Sequence, residues 1–366
     1  MVFEQINEHV TKRGSRLTST ACQKLLFECD NIIFVFVLKW EPSSFKFTRT
    51  AVMDANLVYW KSHGESVFCR FKMWANLLDP SFLFISNAVI QETRSQLGSG
   101  ENVSKKEEHA WNISLSSVHA DSGSVLPLVF RPPAFLPLTA PLVVANFLPH
   151  KGIKPALFWQ FLLQSYTAGF NYANRNSSSE QNQTGSLKQP LLIAGTVSYA
   201  TCAGALPQII VNRLDLRSLH FQNFFRFIVP VPLSAALAFV NVFTVRGEEC
   251  ETGIQVFDSN GNYVGISKAA AQKAVMETAL SRAVLFGTTG AVPNLLVSIL
   301  KRTQLFQKNP LLIAPTRHIS VAFVLGLMIP LSFSLFSLMG TIRKENVEEE
   351  LQVKMAEEHL FYHRGL

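Results

Sequence analysis

Hydrophobic and polar positions divide this chain in two near residue 131. Before it, over residues 53–130, the two kinds are mixed, with Trp60, Trp74 and Trp111 spread among them. Pro80 to Gln96 carries Phe84, Val89 and Ile90 at helical spacing, and Ser104 to Ser117 predicts a second helix opening on Lys105, Lys106, Glu107 and Glu108. From Pro132 the pattern changes. A helix that crosses a bilayer needs about 20 mostly apolar residues. Six segments meet or approach that: Pro132 to Pro149, the more polar Pro155 to Ala173, Pro190 to Val211, Phe227 to Val245, Ala283 to Leu300 and Ile319 to Met339. The connections between them are too short to cover so much apolar surface with protein. The pattern therefore predicts an all-α membrane protein with five or six transmembrane helices.

The expected organisation has four parts. Residues 1–52 read as a poorly ordered extension ahead of Met53-Asp54, which looks like an ordinary protein start. Residues 53–130 form a small soluble or interfacial helical region, 131–342 the multi-pass domain, and 343–366 a charged tail read as a solvated helix face without chemistry. Within the multi-pass region, Asn260-Gly261 between alternating residues predicts a short β-hairpin over Gly253 to Ser267. Asp258, Asn260 and Asn262 imitate the start of a calcium loop, but its twelfth position, where a bidentate Glu belongs, is Ala269. Lys268 to Arg282 then predicts an alanine-rich helix lying at the interface.

Prolines at 141, 207, 232, 293 and 330 fall within spans, and each removes a backbone hydrogen bond. They are either tolerated kinks or the broken helices around which transporters build a midplane site. The small-residue runs Ala200 to Ala205 and Gly287 to Gly290 suit close helix packing first and pore lining second.

Composition supports the membrane reading. Only 16% of the 366 residues are charged, 48% are hydrophobic, and phenylalanine occurs 29 times. The net charge of +7 does not indicate nucleic acid, because the cations border apolar runs instead of forming an aromatic-studded basic stripe. The five cysteines have no paired spacing, so neither a disulfide framework, a zinc site nor iron–sulfur ligation is expected, and no cofactor or metal is predicted. The acids Glu4, Glu8, Glu28 and Asp30 do not suit a transit peptide, and no secretory signal precedes the four glycosylation sequons at Asn102, Asn112, Asn176 and Asn182. None of the nucleotide, zinc or nucleophile motifs occurs in a suitable context, so no enzyme is predicted.

Polar residues at membrane depth face bundle interiors and often mark pathways. Gln160, Gln164, Ser165, Asn171, Asn174 and Asn241 are the candidates for substrate binding; helix–helix hydrogen bonding is the competing use. Arg226 and Arg246, at span ends, are expected to snorkel to headgroups. His119 with Asp121 suggests an acid–base pair or, more simply, a loop turn held by Asp121 and Gly123.

Several stretches resemble one known family. Phe158-Trp-Gln-Phe-Leu-Leu-Gln-Ser-Tyr-Thr-Ala-Gly-Phe-Asn-Tyr-Ala-Asn-Arg175 is similar to the sideroflexin signature F-W-Q-W-x-N-Q-S-F-N-A-x-x-N-Y-T-N-R. His119 to Gly123 resembles its H-P-D-T-G, Gly253 to Ser267 its G-I-x-V-x-D-x-N-G-N-x-x-G-x-S, and Lys308 to Pro315 its K-R-x-P-W-L-x-A-P. The likeness runs in order from about Trp74 to Leu366 and is greatest to the family's divergent fourth vertebrate branch. It implies a multi-pass protein of the mitochondrial inner membrane whose partners are the lipid bilayer and a small amino acid or related metabolite. It also implies an alternative: a scaffold working with respiratory complex I assembly factors, with indirect effects on iron–sulfur and haem homeostasis. Two asparagines of the signature are Leu163 and Thr167 here, and Phe135 stands where a glutamine is expected. Each polar group left unpaired costs about 1–3 kcal/mol, so efficient serine transport is not expected.

Overall fold

In the computed structural model, described for residues 53–64, 66–98, 104–148, 150, 152–176, 188–213, 219–354 and 357–366, short polar side chains set the first helices. The Asp54 carboxylate accepts from Asn56 N and opens α1 (Ala55–His63), and Ser66 Oγ accepts from Cys69 N to open α2 (Val67–Leu77). The single helix expected over Pro80 to Gln96 is broken. Asp79 caps a short 3₁₀ turn, Pro80–Phe84, and Ser86 Oγ accepts from Val89 N to start α3 (Asn87–Gly98). The break buries Ile90 but leaves Phe84 exposed. Ser104–Ser117 forms α4, as its pattern predicts. The expectation for residues 1–52 lies outside the described residues.

Six helices of 16 or more residues follow among the described residues: α5 (Pro132–Phe147), α6 (Ile153–Ala173), α7 (Lys188–Arg213), α8 (Pro230–Val245), α9 (Lys268–Leu300) and α10 (Ile313–Ser334). Among the described residues four runs are long and apolar enough to cross a membrane: Gln189–Asn212, His220–Val245, Lys268–Leu300 and Pro310–Ser334. Helix α5 is apolar but only 16 residues long, and α6 is more polar. Neighbouring helices alternate in direction. Asn174 Nδ2, at the end of α6, donates to Phe130 O before α5, whereas Asn146 Nδ2, at the end of α5, donates to Trp159 O near the start of α6. Gln189 Nε2 likewise ties the start of α7 to Val245 O at the end of α8.

The prolines do not sever these helices. Pro137, Pro141, Pro207, Pro293 and Pro330 all lie inside continuous helices, while Pro232 sits in the first turn of α8. A π-turn, Phe224–Ile228, leads into that turn, and the nearby Phe227 carbonyl accepts from Asn294 Nδ2 of α9 at 3.0 Å. A neighbour's amide thus satisfies a carbonyl beside the distorted backbone, as an apolar surround requires. The glycines at 287 and 290 meet Ala235 and Val231, so packing of α8 on α9 is what this small-residue run supplies.

Three expectations need correction on the other side of the bundle. The interfacial helix and the fifth span are one helix: Ser267 caps α9, and no proline intervenes before Pro293, giving 33 residues or about 50 Å. The hairpin of β1 (Ile254–Phe257) and β2 (Tyr263–Ser267) has a five-residue connection in place of a two-residue turn. Gly261 supplies its positive φ of 83°, and Asp258 Oδ1 accepts from the backbone of Asn260 and Asn262. Finally, the tail is not a solvated helix. After a short helix, Glu349–Lys354, it contributes β4 (His359–His363), which pairs with β3 (Met339–Arg343) just ahead of the tail and with β1 in an antiparallel sheet of order β2-β1-β4-β3. The Tyr362 ring fills the space a Cβ would take at Gly340, and Ile254, Val256, Leu360 and Tyr362 pack on Ala270, Ala271 and Ala274 of α9.

The N-terminal helices dock on the same end of the bundle. Trp74 packs edge-on to Phe333 at 5.1 Å, and Arg70 Nε donates to Ser334 O at 2.9 Å. Lys61 reaches Ser259 O and lies 4.0 Å from the centre of the Phe361 ring. One end of the bundle is therefore covered by α1–α4 and the sheet. The other end, where α5, α7 and α9 finish and α10 begins, has no such cap among the described residues, only short connecting turns such as Gln304–Lys308 and Pro310–Leu312.

Candidate functional site

Polar side chains on α6, α8 and α9 line one cavity together. Gly204 of α7 has no side chain, and Gln160 of α6 fills the space a Cβ would take. Thr167, Gln164 and Gln160 recur at three- and four-residue spacing, on one face of α6, and Asn171 continues it. This face opens on a cavity of about 550 Å³ bounded by α5–α10.

Four of the six predicted residues line it: Gln160, Gln164, Asn171 and Asn241. Asn171 Nδ2 donates to Asn241 Oδ1 at 2.9 Å, so the two are also a helix–helix pair. Ser165 and Asn174 are not among the lining residues. Ser165 is next to Gln164 in the chain and so points about a quarter-turn round the helix. Asn174 donates to Phe130 O and Phe170 O, joining α5 to α6. The three positions that depart from the family signature, Phe135, Leu163 and Thr167, all face the cavity.

The cavity also holds cations that the sequence pattern does not assign to it: Arg226 is expected at headgroups, and Arg282 and Arg317 are not among the candidates. Arg282 lies at the covered end, 3% exposed, with its guanidinium 4.2, 5.5 and 5.7 Å from the ring centres of Phe333, Phe135 and Phe170. Toward the uncovered end the wall carries Arg226, Arg317, His318 and His150, with Arg317 4.0 Å from the Phe227 ring centre. No Asp or Glu is among the described lining residues. The signal for Arg282 was the unbroken helix: a 33-residue α9 carries it from the sheet into the bundle.

Beneath Arg282 a buried polar network seals the covered end. Arg246 does not snorkel; it and Glu249 are both 0% exposed. Arg246 Nε and Nη2 donate to Glu249 Oε1 at 2.6 Å and Oε2 at 2.8 Å, and Nη2 also reaches Arg364 O at 2.7 Å. Asn176 Nδ2 donates to Glu249 Oε2 and His363 O. Gly365, at φ 76°, lies against the Arg246 guanidinium with no room for a Cβ, and Leu366 N donates to Asn174 O. The last residues of the chain are thus wedged into the bundle's end. Burial pushes the His363 imidazole down to about 3, with His119, Arg246 and Arg364 adding to the effect against Asp121. Burial likewise lowers Arg364 to about 10.

His119 belongs to this end as well. Its Nε2–H donates to Arg175 O at 2.6 Å, while Nδ1 accepts from Asp121 N and Ser122 N. The loop-turn reading describes it, with His119 and the positive-φ Gly123 as the pivots. Among the described residues no group of three or more His, Cys, Asp or Glu side chains is placed to hold a metal ion.

Comparison with known proteins agrees with this architecture. A family model described as Sideroflexins matches residues 60–366. The chain belongs to the sideroflexin family. It is 51% identical to Sideroflexin-4 of Danio rerio over 317 residues, covering 86% of this chain and all of that relative. It is 37% identical to Sideroflexin-4 of Homo sapiens over 322 residues, 86% of this chain and 94% of the relative. To Sideroflexin-5 of Homo sapiens it is 31% identical over 309 residues, 82% of this chain and 90% of the relative. No solved structure matches it significantly. This sideroflexin is a multi-pass membrane protein, and its cavity lies among the membrane helices.

Proposed function

We infer that this protein is a mitochondrial inner-membrane transporter of a small amino acid or related metabolite, working by alternating access, and that it is not an efficient serine carrier. The supporting observation is the cavity of about 550 Å³, polar on one α6 face, which runs from His150, Arg226 and Arg317 at the uncovered end to Arg282, beyond which lies the buried Arg246–Glu249 network. A substrate entering from the uncovered end reaches Gln160 and Gln164 first and Asn171 and Asn241 deeper in. Release on the far side requires the tail and its network to part. Serine is disfavoured because Leu163 and Thr167 replace two asparagines on the wall and Phe135 replaces an expected glutamine. A zwitterion that sheds its water there meets fewer matched partners.

Those same three replacements favour a second reading, a membrane scaffold for respiratory complex I assembly that keeps the fold without transporting. Uptake into proteoliposomes across a panel of amino acids and related acids separates the two. Saturable uptake of one compound that is abolished by Asn171→Leu supports transport. Absence of any uptake, with co-purification of assembly intermediates, supports the scaffold.

A further inference from the structure

Buried polar atoms without partners are rare in folded proteins, and each one calls for a physical account. Four such side-chain atoms belong to residues of this cavity: Nε and Nη2 of Arg282, Nδ2 of Asn241 and Nε of Arg317. All four are donors. Three of them are at the covered end, where Asn241 gives its oxygen to Asn171 and so keeps its NH₂ free. Charge tells the same story. Three guanidiniums, Arg246, Arg282 and Arg364, interact electrostatically at the floor. Glu249 neutralises Arg246, and Glu277 attracts Arg364. Among the described residues Arg282 has no carboxylate partner; its neighbours are three phenylalanine rings, which hold a cation but do not cancel its charge.

The geometry points to an oxyanion site at this floor: a substrate carboxylate docks on Arg282, with Asn241 Nδ2 as the additional donor. This rests on the transport reading and names its substrate class. A zwitterion is ill served here, because the described wall has no Asp or Glu to receive an ammonium, and the orphaned atoms are all donors. The site therefore takes small monocarboxylates whose remaining groups are uncharged, such as 2-hydroxy or 2-oxo acids, ahead of amino acids of the same size. Arg226 and Arg317, toward the mouth, raise the local concentration of such anions, in the way that charged clefts steer ligands. Aromatic rings around Arg282 keep its charge strongly felt by excluding water.

Glycerate and serine isolate the claim, since they differ in having a hydroxyl or an ammonium at the same carbon. Binding of each to the full chain in lipid nanodiscs, read by calorimetry, needs no transport. Glycerate is expected to bind about tenfold or more tightly than serine, the effect of one unmatched charged group. Arg282→Gln is expected to remove glycerate binding, and Arg282→Lys, which keeps the charge without the planar fork, to restore part of it. Equal or tighter serine binding, or glycerate binding untouched by Arg282→Gln in a chain that still unfolds cooperatively, overturns the assignment. Inorganic phosphate binding as tightly as glycerate overturns the carboxylate preference. Glycerate binding without uptake leaves the site standing and removes the transport reading instead; uptake of amino acids without glycerate binding does the reverse.

Discussion

Replacing Glu249 by Gln removes one negative charge from a place where no water can replace it. The carboxylate accepts twice from Arg246 and from both the backbone and side chain of Asn176, and both ion-pair partners are 0% exposed. Gln keeps the shape, but it offers one acceptor oxygen and turns an NH₂ toward donors. Arg246 is then a buried cation with Arg282 and Arg364 nearby and no carboxylate bonded to it. Breaking a buried, hydrogen-bonded pair by removing one partner costs about 3–5 kcal/mol. At about 1.3 °C per kcal/mol for a chain of 366 residues, Tm falls by about 4–6 °C. The assay is thermal unfolding of the purified chain in detergent, followed by tryptophan fluorescence, since Trp60 and Trp74 are buried at this same end. The paired substitution Arg246→Met with Glu249→Leu removes both charges and is expected to recover part of the loss. An unchanged Tm for Glu249→Gln refutes the claim that the pair is desolvated and that it seals the floor.

Three further outcomes follow from the same geometry. Because the His363 imidazole is held near 3 in the folded chain but titrates near 6.5 when unfolded, the unfolded state binds more protons between those values. Tail docking is therefore complete above pH 6.5 and loses about 2 kcal/mol by pH 5. His363→Gln, which cannot titrate, should flatten that slope in Tm measured from pH 7 to pH 5. Gly204→Ala pushes the Gln160 side chain out of its groove and is expected to lower substrate affinity about fivefold, the value of one hydrogen bond. In a chain that already has Gln160→Ala it should do nothing more, and additive losses would show that Gly204 acts elsewhere. Leu163→Asn with Thr167→Asn adds two carboxamides to the wall and should raise serine affinity about tenfold or more in the nanodisc binding assay.

Apolar run length alone established that this is a helical membrane protein, because lipid leaves the backbone no partner but its own helix. The polar face of α6 was also legible, since three- and four-residue spacing puts Gln160, Gln164 and Asn171 in line whatever surrounds them. For Asn174 the pattern leaves substrate binding and helix–helix hydrogen bonding open, and its side chain serves the second because the Phe130 carbonyl, 44 residues earlier, lies beside the end of α6. The tail was missed for a similar reason. Phe361-Tyr-His-Arg-Gly-Leu366 has the composition of an exposed end, yet β4 finds an unpaired edge of β1, and its strand pairing carries His363 and Arg364 into the bundle. Arg246 and Arg282 are the plainest case. At helix positions their charge predicts escape to headgroups or an interfacial surface, and pattern cannot say otherwise. Whether a cation is paired, as Arg246 is, or left among rings with free donors, as Arg282 is, depends on which helices and strands meet around it, and packing alone decides that.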